Sequence, residues 1–117
     1  MKHVLIVDDN SVNRKLAVAL FKKRGWQATE AESGQAALAC LGDSAFDGIL
    51  LDISMPGMDG EEVCRQIRAD ARLANLRVVA YTAHAMEHEK QQIMQAGFDD
   101  IVIKPVTMAA LLSAMPD

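Results

Sequence analysis

Aromatic residues make up only 4% of the 117 positions while half are hydrophobic. A core must therefore be built from Val, Ile, Leu, Met and Ala, a mix that suits helices packed on a buried sheet. Cysteine is scarce: Cys40 and Cys64 sit in helical contexts without partners at metal-ligand spacing. Both read as reduced packing residues, and no disulfide framework is implied. Long apolar runs are missing too. The start, "MKHVLIVDDN", offers four consecutive apolar residues before two acids, too few for a signal-peptide core or a membrane span, which points to the cytosol. Nor is there a basic excess. The 12 Lys and Arg are scattered and the formal charge is -4, which argues against nucleic acid as the direct partner and leaves a metal ion or a basic protein face. With no low-complexity tract, repeat or linker, residues 1–117 fit one domain.

What is present is an alternation. Short runs rich in Val and Ile recur, each followed by a segment with helical spacing, the pattern of βα units around a parallel sheet. Five such pairs are legible. "HVLIV" (3–7) leads into a helix capped by Asn10 or Ser11, with Val12, Leu16 and Leu20 on one stripe and Gly25 at its end. "WQATEA" reads as a weaker strand near an edge, followed by the Ala-rich helix "GQAALACLG". "GILLD" reads as a strand buried on both faces, and Asp59 caps the helix after it, with Glu61 and Glu62 near the positive end of its dipole. "LRVVAYT" precedes the polar helix "HAMEHEKQQIMQAG", and "DDIVIKP" precedes a last helix over 107–115.

In a doubly wound α/β sheet, ligands bind beyond the carboxyl ends of the strands. Those ends carry Asp8 and Asp9 after strand one, Asp52 after strand three, Thr82 after strand four and Lys104 after strand five. Two carboxylates about 4 Å apart repel by ~4 kcal/mol at an effective dielectric near 20, so three together need a cation or a raised pKa. A hard divalent ion such as Mg²⁺, which takes a few oxygens plus waters and phosphate, answers that need where no His or Cys ligand stands in the motif. Lys104 then suits one phosphoryl oxygen and Thr82 another, and one carboxylate is left as nucleophile.

"VLIVDDN", "LLDISMPGMDG", "VVAYTA" and "IKP" together resemble the receiver domain of two-component response regulators over essentially the whole chain, and "TAHAM" and the "NSVNRKLA" helix start look more like receivers of hybrid histidine kinases than like those fused to DNA-binding domains. The resemblance implies a flavodoxin-like (βα)5 fold with strand order 2-1-3-4-5. It implies that Asp52 accepts a phosphoryl group from a histidine kinase or histidine phosphotransfer domain. Asp9, Asp52 and the Ser54 carbonyl would bind Mg²⁺ directly and Asp8 largely through water. Lys104 would pair with the phosphate, Thr82 would move toward it on activation, and the Lys104–Pro105 bond would be cis and Met55–Pro56 trans. The phosphorylation-dependent partner surface would lie on helix four, strand five and helix five.

One position departs from the pattern: Ile101 stands where the family usually carries Tyr or Phe, which weakens that half of the switch. His84, two residues after Thr82, is a candidate for tuning phosphate lifetime, while His88 reads as a solvated helix residue. A haloacid-dehalogenase-type phosphatase would need a second Asp where Ser54 stands, and a nucleotide- or flavin-binding module would need glycine in "VDDNSVN". A degenerate receiver acting only as a protein-binding module predicts loss of Asp9, Asp52, Thr82 or Lys104, and all four are present. The expectation is a signalling phosphoacceptor rather than an enzyme acting on a separate substrate.

Overall fold

The computed structural model describes residues 1–83 and 85–117. His84, and the expectation attached to it, lies outside the described residues. Among the described residues the chain alternates β1 (His3–Val7), α1 (Ser11–Lys23), β2 (Gln27–Ala31), α2 (Gly34–Asp43), β3 (Gly48–Asp52), α3 (Gly60–Ala69), β4 (Arg77–Thr82), α4 (Glu87–Gln95), β5 (Asp100–Ile103) and α5 (Met108–Ala114). The strands are parallel and ordered β2-β1-β3-β4-β5. That is the expected flavodoxin-like arrangement.

The sheet divides the core in two. Leu5, Val7, Ile49, Leu51, Val78 and Ala80 face α2, α3 and α4, where they meet Leu41, Val63, Ile67 and Ile93. Val4, Ile6, Leu50, Val79, Tyr81 and Val102 face α1 and α5, meeting Ala17, Val18, Phe21 and Leu111. β3 runs through the middle with every residue buried, and each of Ile49, Leu50 and Leu51 contributes roughly 1.5–3 kcal/mol by burial. β2 is the edge strand anticipated from its polar residues; there Thr29 is paired with the His3 ring at 2.6 Å.

Two details differ from the sequence pattern. The α1 stripe facing the sheet is Arg14, Ala17, Val18 and Phe21, not Val12, Leu16 and Leu20. Val12 is 74% exposed and Leu16 37%, while Leu20 packs at the margin. The phase is set at the helix start, where the Asn10 side chain accepts from the Asn13 N–H at 3.0 Å. It is held by Arg14, which donates to the Asp8 carbonyl at 2.9 Å and to Glu30 at 2.8 Å. The second difference is that α4 starts at Glu87, later than "HAMEHE" suggests, because the Glu89 carboxylate reaches back to accept from the Met86 N–H at 3.0 Å. Ile93 alone of its apolar residues is buried, with Met86 and Met94 exposed. Asp59 caps α3 as expected, accepting from the Glu62 N–H at 2.9 Å.

Candidate functional site

Strand register builds the site. Val7 pairs with Leu51, so the next residues, Asp8 and Asp52, emerge side by side; Asp52 pairs with Tyr81, and Thr82 with Ile103, which places Thr82 and Lys104 one step further along neighbouring strands. Asp8, Asp52 and Thr82 are all buried, whereas Asp9 is exposed. Local turns fix the two buried acids. The Asn10 N–H donates to Asp8 Oδ1 at 2.8 Å and the Ser54 N–H to Asp52 Oδ1 at 3.0 Å, each aspartate closing a turn onto the residue two further on. The remaining oxygens face inward to Lys104, whose Nζ lies 2.8 Å from Asp8 Oδ2 and 3.5 Å from Asp52 Oδ2. The Lys104–Pro105 bond is cis, and Met55–Pro56 is not.

These groups line a cleft of about 330 Å³ that also takes in Asn10, Asn13, Ser54, Thr82 and Glu89. One oxygen each from Asp8, Asp9 and Asp52 can be chosen so that all lie within 4.8 Å of one another. A single ammonium cannot neutralise three carboxylates at that spacing. Burial pushes the Asp52 carboxyl up to about 6, with the Asp8 charge adding to the rise, while the Ser54 N–H and Lys104 oppose it. Such an oxygen-only, negatively overcharged cleft has the donor set of a Mg²⁺ site.

The structure thus brings together every residue singled out at the strand ends. Ile101 is half-buried against the α2, α3 and α4 side of the core. Three neighbours of the site escaped the sequence reading. Arg14 is buried beneath Asp8, and its spacing from Ala17, Val18 and Phe21 was the available signal. Glu89 adds a fourth acid to the rim. Tyr81, the chain's single tyrosine, is fully buried beside Lys104, and strand alternation from Thr82 could have placed it on the opposite face.

A parallel five-stranded sheet with acids at the carboxyl ends of β1 and β3 and a lysine after β5 defines a class of acidic-pocket α/β signalling domains. The chain belongs to the response regulator receiver domain family, which it matches over residues 4–116. It is 41% identical over 107 residues to the sensor protein GacS of Pseudomonas syringae, covering 89% of this chain and 12% of that protein. It is 38% identical over 109 residues to the chemotaxis protein CheY-3 of Vibrio cholerae, covering 92% of this chain and 84% of that one. The chain therefore spans about an eighth of the length of that sensor protein. Among solved structures, Vibrio cholerae CheY4 superposes with a TM-score of 0.90 at 27% identity, covering 97% of this chain and 94% of that one. The receiver domain of the Pseudomonas aeruginosa sensor histidine kinase PA1611, which holds magnesium in its active-site cleft, superposes at 0.87 with 30% identity, covering 96% and 92%.

Proposed function

We propose that this chain is a phosphoacceptor that takes a phosphoryl group from a phosphohistidine onto Asp52, changes conformation while it is phosphorylated, and returns by hydrolysing its own acyl phosphate. The observation that carries this reading is the Asp52 carboxyl, buried at the end of the central strand with Lys104 at 3.5 Å and two further acids beside it. Above about pH 6 Asp52 is ionised and available to attack phosphorus; its oxygen bonds to phosphorus as the P–N bond breaks and the histidine nitrogen leaves with the electron pair. Lys104, already between Asp8 and Asp52, offsets charge on the transferring oxygens. Thr82, at the end of the neighbouring strand, supplies a hydroxyl to another oxygen.

Asp8, Asp9, Asp52 and the Ser54 carbonyl would hold Mg²⁺. A bound ion would neutralise the clustered carboxylates and polarise the phosphoryl group.

A donor histidine has to reach bonding distance of Asp52, so its host must rest on the rim of the cleft. There α1 presents Val12 and Leu16 to solvent. The phosphorylation-dependent surface on α4, β5 and α5 offers Met86, Met94, Ile103 and Leu112, all exposed, and methionines adapt readily to different partners. The donor is a histidine kinase or histidine phosphotransfer domain, and the setting is cytoplasmic. No helix of the described residues is long and apolar enough to cross a membrane.

The test is intact mass after incubation with Mg²⁺ and acetyl phosphate, with Asp52→Asn in parallel. Gain of one phosphoryl group by the wild type alone, abolished by chelation, is the expected result. No gain from acetyl phosphate or from a phosphohistidine protein would leave a binding module in place of a phosphoacceptor.

A further inference from the structure

Tyr81 is the residue before Thr82, fully buried on the face of the sheet covered by α1 and α5. The Lys104 ammonium stands over its ring, 4.8 Å from the centroid. Its hydroxyl donates to the Asn13 carbonyl at 3.2 Å, in the first turn of α1. A ring that only filled the core would need none of these; Leu or Phe packs as well without a hydroxyl to satisfy. Burial, with the Asp8 charge adding to it, pushes the phenol up to about 12, so the hydroxyl stays a donor throughout the working pH range.

We propose that Tyr81 is a positioning residue for Lys104: its ring face holds the ammonium over the cleft, and its hydroxyl, tied to Asn13, keeps that face turned toward the lysine. The proposal rests on the reading of Asp52 as phosphoacceptor. Lysine is a compact charge on a flexible four-carbon stem and is not held by its own geometry. In the unphosphorylated chain it is drawn to Asp8 at 2.8 Å more closely than to Asp52 at 3.5 Å. On phosphoryl transfer it has to shift toward the incoming oxygens. Attraction to a ring face is weakly directional, so the ammonium can make that shift without losing the ring, which a hydrogen-bonded anchor would not permit.

The experiment compares Tyr81→Leu and Tyr81→Phe, each in wild-type and Lys104→Ala backgrounds. At saturating acetyl phosphate and Mg²⁺, Tyr81→Leu is expected to slow phosphoryl gain by about tenfold, and Tyr81→Phe to recover most of that loss because the ring remains. In the Lys104→Ala background the Leu substitution should change the rate less than about twofold, since its effect runs through the lysine. Equal effects in both backgrounds, or a Tyr81→Leu rate within twofold of wild type, overturn the proposal. Should the Leu variant fold poorly, the wild type decides alone: the Lys104 methylene protons beside the ammonium should resonate upfield of those of exposed lysines through the ring current. Absence of that shift overturns the proposal independently of any phosphorylation. Failure of the wild type to gain phosphate, with the shift present, would instead remove the Asp52 reading and leave the positioning contact standing.

Discussion

The two ends of this sheet handle charge in opposite ways. At the amino ends of the strands, where α1, α3 and α5 finish, arginines meet carbonyls. Arg24 donates to the Met115 carbonyl at 2.6 Å and reaches Asp117 at 3.2 Å, and Arg77 donates to the Ala114 carbonyl at 2.8 Å. Arg68 donates to the carbonyls of Gly97, Ala74 and Leu76 and pairs with Asp99 at 2.8 Å. Cations there also meet the negative ends of the helix dipoles. At the carboxyl ends the charges are mostly alike. Asp8, Asp9 and Asp52 crowd one another with Lys104 between two of them. A charge that serves the fold finds partners of opposite polarity, and a charge that serves chemistry is held where folding alone would not put it. The arginine end therefore reads as scaffold and the aspartate end as the candidate site.

The largest effect should come from a substitution that breaks this division. Gly60 begins α3, and a Cβ there would press on the Asp52 carbonyl oxygen and stand 2.8 Å from Ile53 Cα. Both neighbours are backbone and cannot yield as a side chain would. Gly60→Ala should destabilise the chain by about 3 kcal/mol and disturb Asp52 at the same time, measured by chemical denaturation and by Mg²⁺ affinity. Full stability would mean that α3 can shift away from the site. Next comes Arg68→Ala, which removes four hydrogen bonds and leaves three carbonyls to find water. A loss of about 2 kcal/mol is expected with Mg²⁺ affinity unchanged, and Arg68→Lys should recover only part, because a point charge cannot serve carbonyls in several directions. Reduced metal affinity in Arg68→Ala would show that the ends are not independent.

The sequence made the site end far more legible than the scaffold end. Asp8, Asp52, Thr82 and Lys104 each close a mostly apolar run, with Asp9 next after Asp8, so strand boundaries and parallel topology alone bring them together. The arginines act through carbonyls of Gly97, Leu76, Ala114 and Met115, groups that every residue carries and no sequence pattern marks. The phase of α1 was hidden for a different reason. That helix is apolar on two sides, and the choice between Val12–Leu16 and Ala17–Phe21 is settled by Arg14, which is buried under Asp8 and reaches Glu30 on the neighbouring strand, a pairing that the local pattern does not mark. Tyr81 was legible as a strand residue and not as a neighbour of Lys104, since that contact crosses from β4 to the segment after β5.

The smallest effect is the one that sets the two ends apart most directly, because it has the opposite sign. Removing a site charge should stabilise the metal-free protein. The Asp52 carboxyl rises from its ordinary 3.8 to about 6, through burial first and the Asp8 charge after it. The folded chain thus holds that proton over an interval in which the unfolded chain has lost it. Stability attributable to Asp52 is full below about pH 4, falls as pH rises toward 6, and stays lowered above that. Glu30 runs the other way: Lys15 and Arg14 hold its carboxyl below the usual range, so its contribution is present at neutral pH and fails only in acid. With divalent ions chelated, Asp52→Asn should be more stable than wild type at pH 7 by about 1 kcal/mol, an advantage that vanishes near pH 4. Added Mg²⁺ should cancel it at pH 7 by stabilising only the chain that still has the carboxylate. Denaturation midpoints across pH, with and without Mg²⁺, read all three outcomes. An Asn variant less stable than wild type in chelator at pH 7 would mean that Lys104 outweighs the crowding, and that the carboxyl end is as well balanced as the end held by arginines.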